Sequence, residues 1–455
     1  MAVNVILIVS DTCRRDRIGA YGCEWMNTPS LDYLASKSFV FERAYCASFP
    51  TVPHRVDVLT GRFGFPFYGW QPVPEGMSSL PEPLEEQGLA SQLIYDTPGM
   101  FGSQCYRGFR GVKFQAGQGS SREEMIRLVL PAELPCDADR IRSPEAMLAR
   151  VRDATWWRDE GESFVARTST AAAHWLEANC GANGFLLWVD TFDPHEPWLS
   201  PLWYARMYYP DYVGQDFIQA PYDVLDDRFT EEEVRWMHAR YCGELTMMDR
   251  WIGEVIDRFF DLGFAEDTAL IFTSDHGFYL GEHNRAGKHT IIGEPWPLYD
   301  EVASVPLMVY VPGVEPGRSH ALVQAPDLRP TIMELMAADD PGDIHGRSIM
   351  PVVRGETDSH REFAVSSGYL DETRDPLVTR IAVNSADGWS LHFHPSYDPE
   401  LYYLPEDPGQ LSNIIADHHD QAARLHAGFL DLLREVEAPA ATVERLRGFE
   451  RREDV

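Results

Sequence analysis

The chain has 455 residues, with 71 Asp and Glu against 39 Lys and Arg, for a formal net charge of −32. A surface this acidic repels phosphate backbones and anionic headgroups, which excludes nucleic-acid binding and membrane-surface attachment by bulk electrostatics and obliges any anionic small molecule to be attracted locally. The 44% hydrophobic and 24% charged fractions exclude a chiefly disordered chain and fit two or three domains, or one large core with a smaller appendage.

The chain opens on Met-Ala-Val-Asn-Val-Ile-Leu-Ile-Val-Ser-Asp, without a basic stretch or a small-residue cleavage site, and no run of ~20 apolar residues follows, so a cytoplasmic protein without a membrane span is expected. Val3 to Ser10 is a continuous β-branched run, the pattern of a strand buried on both faces of a parallel sheet. Similar runs recur at Ala90 to Tyr95, Gly184 to Asp190, Thr268 to Ser274 and Val305 to Val311. Between them Thr28 to Ser36, Ser163 to Ala178 and Glu231 to Leu262 repeat apolar residues at helical spacing. Alternating strands and helices predict an α/β fold with a doubly wound, mostly parallel sheet over residues 1–354. Cys105 to Glu162 is loop-rich and charged, an insertion near the site on this reading. From 355 to 455 the texture changes to short aromatic strands and a polar helix, Asp417 to Leu433, predicting a smaller α+β C-terminal subdomain with a frayed polar tail. The seven Cys are odd in number and contain no Cys-x-x-Cys pair, which argues against a disulfide framework or a structural zinc site.

In doubly wound sheets ligands bind beyond the carboxyl ends of the strands. Polar residues sit at those exits: Asp11 after the first strand, Asp190, Asp193 and His195 at the third, and Asp275-His276 at the fourth. Ser274-Asp275-His276-Gly277 places a carboxylate beside an imidazole, a pair that holds a divalent metal, and reads equally as a helix-capping Asp with a bystander His. Thr51-Val-Pro-His-Arg55 sets a hydroxyl one helical turn from a guanidinium at a helix N-terminus; an anion would be welcome there, although by itself the pattern is an ordinary Thr cap with Pro in the first turn.

Taken together and in order, these segments resemble the sulfatase family of the alkaline phosphatase superfamily. The resemblance is carried by Ile8 to Arg14, Gly19 to Gly22, Asn27 to Asp32, Thr51 to Arg62, Trp188 to Trp198, Tyr241 to Gly253, Thr273 to His283, Gly287-Lys288, Leu298 to Glu301, Val305 to Leu307, Asp327 to Thr331, His345 to Ser348, Glu400 to Tyr402 and Asp407-Pro408. It implies Asp11, Thr51, Asp275 and His276 as metal ligands, Thr51 as nucleophile and Arg55 as the residue orienting it. It implies His195 at the leaving-group oxygen, and Lys288 and His289 on the substrate. Lys288 is one of only three lysines, with Lys37 and Lys113, and falls at the position the family requires.

Two departures shape the chemistry. Sulfatases begin their C/S-x-P-x-R motif with Cys or Ser, which becomes formylglycine; Thr51 stands here, and threonine cannot yield that aldehyde, so no formylglycine is expected. A formylglycine hydrate releases its ester by elimination, whereas a Thr51 ester is released by water. Such chemistry resembles that of phosphatases, nucleotide pyrophosphatases and phosphoethanolamine transferases, so phosphate and phosphonate esters join sulfate esters as candidate substrates. Secondly, Asp11-Thr12 and Asp275-His276 replace the paired Asp and the Asp-Asn of calcium-type sulfatases, which favours Mn²⁺ or Zn²⁺ over Ca²⁺ and resembles the phosphonate monoester hydrolase branch. The family's Gly-Lys-Trp-His segment is also missing, with Tyr95-Asp-Thr-Pro-Gly99 near its place. A second metal would need a further Asp/His set, for which Asp190 or Asp193 with His195 and His289 are candidates, but Asp193-x-His195 is not the spacing of the bimetallic branch, and one divalent ion is expected. The resulting expectation is a metal-dependent hydrolase of small anionic esters, with possible homo-oligomers. The alternatives are a non-catalytic anion-binding protein and a phospho-group transferase, the latter disfavoured because such relatives are membrane-anchored.

Overall fold

The computed structural model describes residues 2–115, 117, 132–155, 157–289, 294–370 and 379–451. Among the described residues nine strands form the main sheet: β1 (Asn4–Ser10), β2 (Phe39–Tyr45), β3 (Ala90–Tyr95), β4 (Gly111–Phe114), β5 (Phe185–Thr191), β7 (Thr268–Ser274), β10 (Ser304–Tyr310), β11 (Gly317–Ser319) and β12 (Val323–Gln324). Their order is β11-β2-β10-β7-β1-β5-β3-β4, with β12 also on β2. A small ribbon joins β6 (Asp223–Val224), β8 (Tyr279–Leu280) and β9 (Arg285–Gly287).

The continuous apolar run of β1 has the reason anticipated for it. Parallel neighbours β5 and β7 flank it, and helices cover both faces, so all its residues are buried. Val5, Leu7 and Val9 pack into a cluster with Val52, Val56 and Leu59 of the Thr51–Thr60 helix. Ile6 and Ile8 face the other way, into a cluster with Leu245, Met248 and Ile252 of the Glu231–Asp261 helix. The period of two thus clamps β1 between layers, and truncating Leu7 or Ile8 to Ala would cost about 2–5 kcal/mol.

All five anticipated strands form, and the helices run at Pro29–Lys37, Phe164–Ala178, Glu231–Asp261 and His419–Glu435. One strand, β10, runs antiparallel to both β7 and β2, a direction that an apolar pattern does not encode. Strand β2 was not anticipated, because Glu42 and Arg43 interrupt its apolar run. In the Cys105 to Glu162 stretch the described residues include β4, at the sheet edge, and the Pro144–Ala154 helix; residues 116, 118–131 and 156 lie outside the description. After the main sheet come β13 (Phe363–Ser366), β14 (Ile381–Ser385), β15 (Trp389–His394) and β16 (Tyr397–Tyr403), an antiparallel sheet packed on the His419–Glu435 helix through Ile381, Leu391, Phe393, Leu425 and Phe429. The last four residues of the polar tail, 452–455, are outside the described residues. Among the described residues no helix is long and apolar enough to cross a membrane.

Register does the rest. Ser10 stands opposite Thr191 on one side and Ser274 on the other, and Tyr95 stands opposite Asp190. Asp11, Asp96, Asp190 and Asp275 therefore lie within one residue of a common row at the carboxyl edge of the sheet.

Candidate active site

Asp11 and Asp275, completely buried, begin where β1 and β7 end. Between them Thr12 turns the chain with φ 61°, a left-handed conformation that costs about 1–2 kcal/mol for a non-glycine residue. The turn puts its N–H on Asp275 Oδ1 at 2.9 Å and its hydroxyl on Asp11 Oδ1 at 2.7 Å. The His276 N–H also donates to Asp275 Oδ1, at 2.8 Å. One oxygen of each carboxylate is thus tied back, and the Oδ2 atoms face inward to Arg55. The His276 Nδ1–H donates to the Gly277 carbonyl at 2.9 Å, which makes Nε2 the basic nitrogen. Position 277 must be glycine: a Cβ there would fall 2.1 Å from the Glu301 carbonyl oxygen. A ligand atom from each of Asp11, Asp275 and His276 lies within 4.8 Å of the other two, a grouping that fits a metal ion.

Arg55 is the hub of these carboxylates. Its Nη1 donates to Asp11 Oδ2 at 3.1 Å, to Asp275 Oδ2 and to the Thr51 carbonyl at 3.2 Å. Its Nε and Nη2 grip Asp190 in a fork at 3.1 and 3.0 Å. Asp190 is further held by the Trp188 Nε1–H at 3.2 Å and by the Thr97 hydroxyl. Arg55 lies one turn into the helix that Thr51 begins, so the Thr51 carbonyl and both carboxylates share a single guanidinium nitrogen. These donors go to carboxylates and a carbonyl, which makes Arg55 a residue that sets positions.

Burial and the neighbouring Asp275 push the Asp11 carboxyl well above the ordinary range, against the pull of Arg55 and Lys288. For Asp275 burial acts upward too, but His276 and Arg55 overcome it and hold the carboxyl low. Burial takes His276 down to about 3, so its imidazole is neutral, as a ligand must be. Burial raises Asp190 despite Arg55. Two like charges side by side with an inward lone pair between them are the chemistry of a cation site, and the donor set of two carboxylates and an imidazole fits a divalent ion.

The remaining anticipated residues gather around this centre. The buried Lys288 places Nζ 3.3 Å from His276 Nε2. His195 holds Nδ1 against the Glu196 carbonyl at 2.7 Å and 3.2 Å from the Glu196 carboxylate, and stacks on Phe192 at 4.0 Å between centroids. Burial, with Lys288 and Arg150 adding to it, drives the imidazole well below its usual value, leaving it neutral with Nε2 basic. His289, half-buried, meets the rings of Phe49 at 6.2 Å and Tyr222 at 5.6 Å, and Phe49 lies 5.1 Å from the His276 ring. Asp193 stands apart: its charge neighbours are Glu244 and Asp96. Asp190 and Asp193 are thus engaged elsewhere and do not join His195 and His289 in a second ligand group. Asp190 as the Arg55 anchor, Thr97 behind it, and Phe49 and Tyr222 at the rim escaped the motif reading. The position of Asp190 at a strand exit was the one available signal.

Comparisons with known proteins point to one family. The family model described as Sulfatase matches residues 3–338, and that described as N-sulphoglucosamine sulphohydrolase, C-terminal, matches residues 287–436. The chain is 26% identical to iduronate 2-sulfatase of Mus musculus over 69% of its own length and 60% of that protein's, so it spans less than two thirds of that relative. It is 22% identical to an arylsulfatase of Clostridium perfringens, with 91% of this chain and 90% of the relative covered. Among solved structures, phosphonate monoester hydrolase of Agrobacterium radiobacter superposes with a TM-score of 0.74 at 21% identity, covering 96% of this chain and 95% of that one, which shows a shared fold. With a family model that matches residues 3–338, most of its length, this chain belongs to the sulfatase family.

Proposed function

We propose that the protein is a metal-dependent hydrolase of sulfate, phosphate or phosphonate esters that uses Thr51 as its nucleophile. The observation that carries this reading is the convergence of Asp11, Asp275 and His276 beside the helix that opens with Thr51 and holds Arg55. Asp11, Asp275 and His276, with Thr51 as a fourth donor, would hold one divalent ion, and the imidazole favours Mn²⁺ or Zn²⁺ over Ca²⁺. Bound there, the ion would supply Lewis-acid charge for the transferred group and for the Thr51 hydroxyl.

The chain's own residues divide the remaining tasks. Thr51 Oγ attacks phosphorus or sulfur in line, forming the Oγ ester as the bond to the leaving oxygen breaks. The proton that Thr51 releases passes to solvent, and His195, with Nδ1–H fixed on the Glu196 carbonyl, takes one from solvent at Nε2 and gives it to the leaving oxygen, on the far side of the transferred group from Thr51. The Glu196 carboxylate beside it stabilises the transient imidazolium. Lys288 spreads the negative charge that grows on the transferred group, while Arg55 keeps Thr51 and the carboxylates aligned. Water then attacks from the side the leaving group vacated and gives its proton to His195 Nε2, while Thr51 departs as the alkoxide, which restores the starting state for the next turnover.

Aryl sulfate, phosphate monoester, phosphate diester and phosphonate monoester substrates, each with added Mn²⁺, Zn²⁺ or Ca²⁺, test the reading. Metal-stimulated turnover that disappears in Thr51→Ala, together with a Thr51-linked adduct trapped by mass spectrometry, supports it. Wild-type turnover by Thr51→Ala on every ester would rule out the covalent step, and affinity without turnover would make the protein a binder.

A further inference from the structure

Tyr222 stands where three parts of the site meet. It precedes β6 with φ 59°, a left-handed conformation that a residue with a side chain seldom adopts, and β6 pairs with β9 through Asp223 and Ala286. Its backbone lies against Gly287, where a Cβ would come within 2.9 Å of the Tyr222 Cα, so the same turn packs on the strand that leads into Lys288. The ring is held on several sides: His289 at 5.6 Å and Phe278 at 5.8 Å meet it edge to face, and the Arg142 guanidinium lies 4.4 Å from its centre. From this fixed, buried ring the hydroxyl donates to Glu196 Oε1 at 2.8 Å.

That hydrogen bond decides where the other carboxylate oxygen points. Glu196 is buried, and its Oε2 accepts no hydrogen bond among the described residues, yet it stands 3.2 Å from His195 Nδ1. The Nδ1–H is already given to the Glu196 carbonyl at 2.7 Å, and the imidazole is stacked on Phe192. A buried carboxylate oxygen left unanswered is costly beside a neutral ring and favourable beside an imidazolium, so the geometry suits the charged state of His195 rather than its resting one. Without a bond at Oε1 the carboxylate could swing about its own side chain; the Tyr222 hydroxyl fixes the plane in which Oε2 faces the imidazole.

We propose that Tyr222 is a positioning residue for the departing oxygen: its hydroxyl fixes the Glu196 carboxylate against His195, and this relay lets the site expel leaving groups too basic to depart without a proton. On departure the Nε2 proton of the imidazolium passes to the leaving oxygen as its bond to phosphorus or sulfur breaks, and the ring is left neutral. Glu196 offsets the charge while the imidazolium lasts, and Tyr222 keeps Glu196 in place without touching the substrate. The role of His195 as acid rests on the hydrolase reading above; the hold of Tyr222 on Glu196 does not.

The test compares esters that differ only in their leaving group. Tyr222→Phe keeps the ring and loses the hydroxyl. Relative to the metal-loaded wild type, its kcat/KM should fall about tenfold further on a phenyl ester than on the 4-nitrophenyl ester, whose leaving group departs with little help from an acid. Glu196→Gln should show the same selective loss, and the double variant should be no worse than Glu196→Gln alone, because the hydroxyl acts through the carboxylate. A crystal structure of Tyr222→Phe should retain the fold and show the Glu196 carboxylate displaced from its 3.2 Å approach to His195 Nδ1. Equal loss on the two esters, no loss on either, additive losses in the double variant, or a carboxylate unmoved in the crystal would each overturn the proposal. A wild type inactive on every ester would overturn the hydrolase reading alone, and the crystal structure would still decide whether Tyr222 holds Glu196.

Discussion

Of the buried arginines that hold carboxylates, Arg361 and Arg55 do so in opposite ways. Arg361 meets a single carboxylate, Asp327, through Nε at 2.9 Å and through Nη2, and His360 stands 3.2 Å from the same carboxylate. The Gln324 and Arg347 N–H groups complete the shell of Asp327 at 3.0 and 2.9 Å. Burial works against this carboxylate, but Arg361 and His360 prevail and hold it well below the usual range. Arg55, by contrast, faces Asp11, Asp190 and Asp275 together. One guanidinium cannot satisfy three carboxylates, and two of them, Asp11 and Asp190, are pushed up by their burial. The balanced cluster is a structural joint. The surplus of negative charge in the other is what a cation relieves, so a site shows itself by unresolved charge, whereas an ion pair alone shows none.

That contrast can be broken by substitution. Asp275→Asn should lower kcat by about 10³, measured on whichever ester the wild type turns over, since a preorganised charge in the reacting centre is worth on the order of 10²–10³ or more. Asp11→Asn, which removes a carboxylate that burial and Asp275 already push up, should leave metal-free stability to denaturant equal or higher. Asp327→Ala, in the balanced joint, should instead destabilise by about 3–5 kcal/mol by leaving Arg361 buried and uncompensated, read as a fall in the urea midpoint.

Metal sharpens the comparison. At a concentration of 100 times its dissociation constant, Mn²⁺ or Zn²⁺ should add about 2.7 kcal/mol to the wild type, raising Tm, and a chelator should reverse the gain. The gain should be lost in Asp275→Asn and retained in Arg347→Gln, which alters an exposed side chain beside the Asp327 joint. Acid titration gives a smaller effect. Asp327 has a folded pKa below its unfolded one, so the unfolded chain binds more protons between the two values. Its contribution to stability is complete above the unfolded pKa, near 3.8, and is lost as pH falls through the folded value. Asp327→Asn should flatten that acid limb in unfolding curves recorded below pH ~4.

Much of this was legible before any coordinates. Strands buried on both faces write themselves as unbroken apolar runs, and the Asp11 and Asp275 exits could be read directly from the ends of such runs. Thr51 and Arg55 were legible as a helical turn. What stayed hidden depends on pairing between distant segments. The reversal of β10 is a matter of direction, and β2 carries Glu42 and Arg43 through its centre. The fork between Arg55 and Asp190 joins residues 135 apart in sequence, and only register places them together. The seat of Arg142 over Tyr222 lies outside regular strands and helices altogether, with no periodicity to announce it.

The placement of Lys288 has a practical consequence. Lys37 and Lys113 are exposed, while Lys288 is buried with its amine against His276. Amine-directed reagents therefore meet two fast, remote side chains that serve as internal standards and one slow side chain in the candidate site. Peptide mapping after timed acylation turns this scarcity of lysine into a gauge of site occupancy: any small molecule that settles at the strand ends should protect a single peptide, whether or not it is ever converted to product.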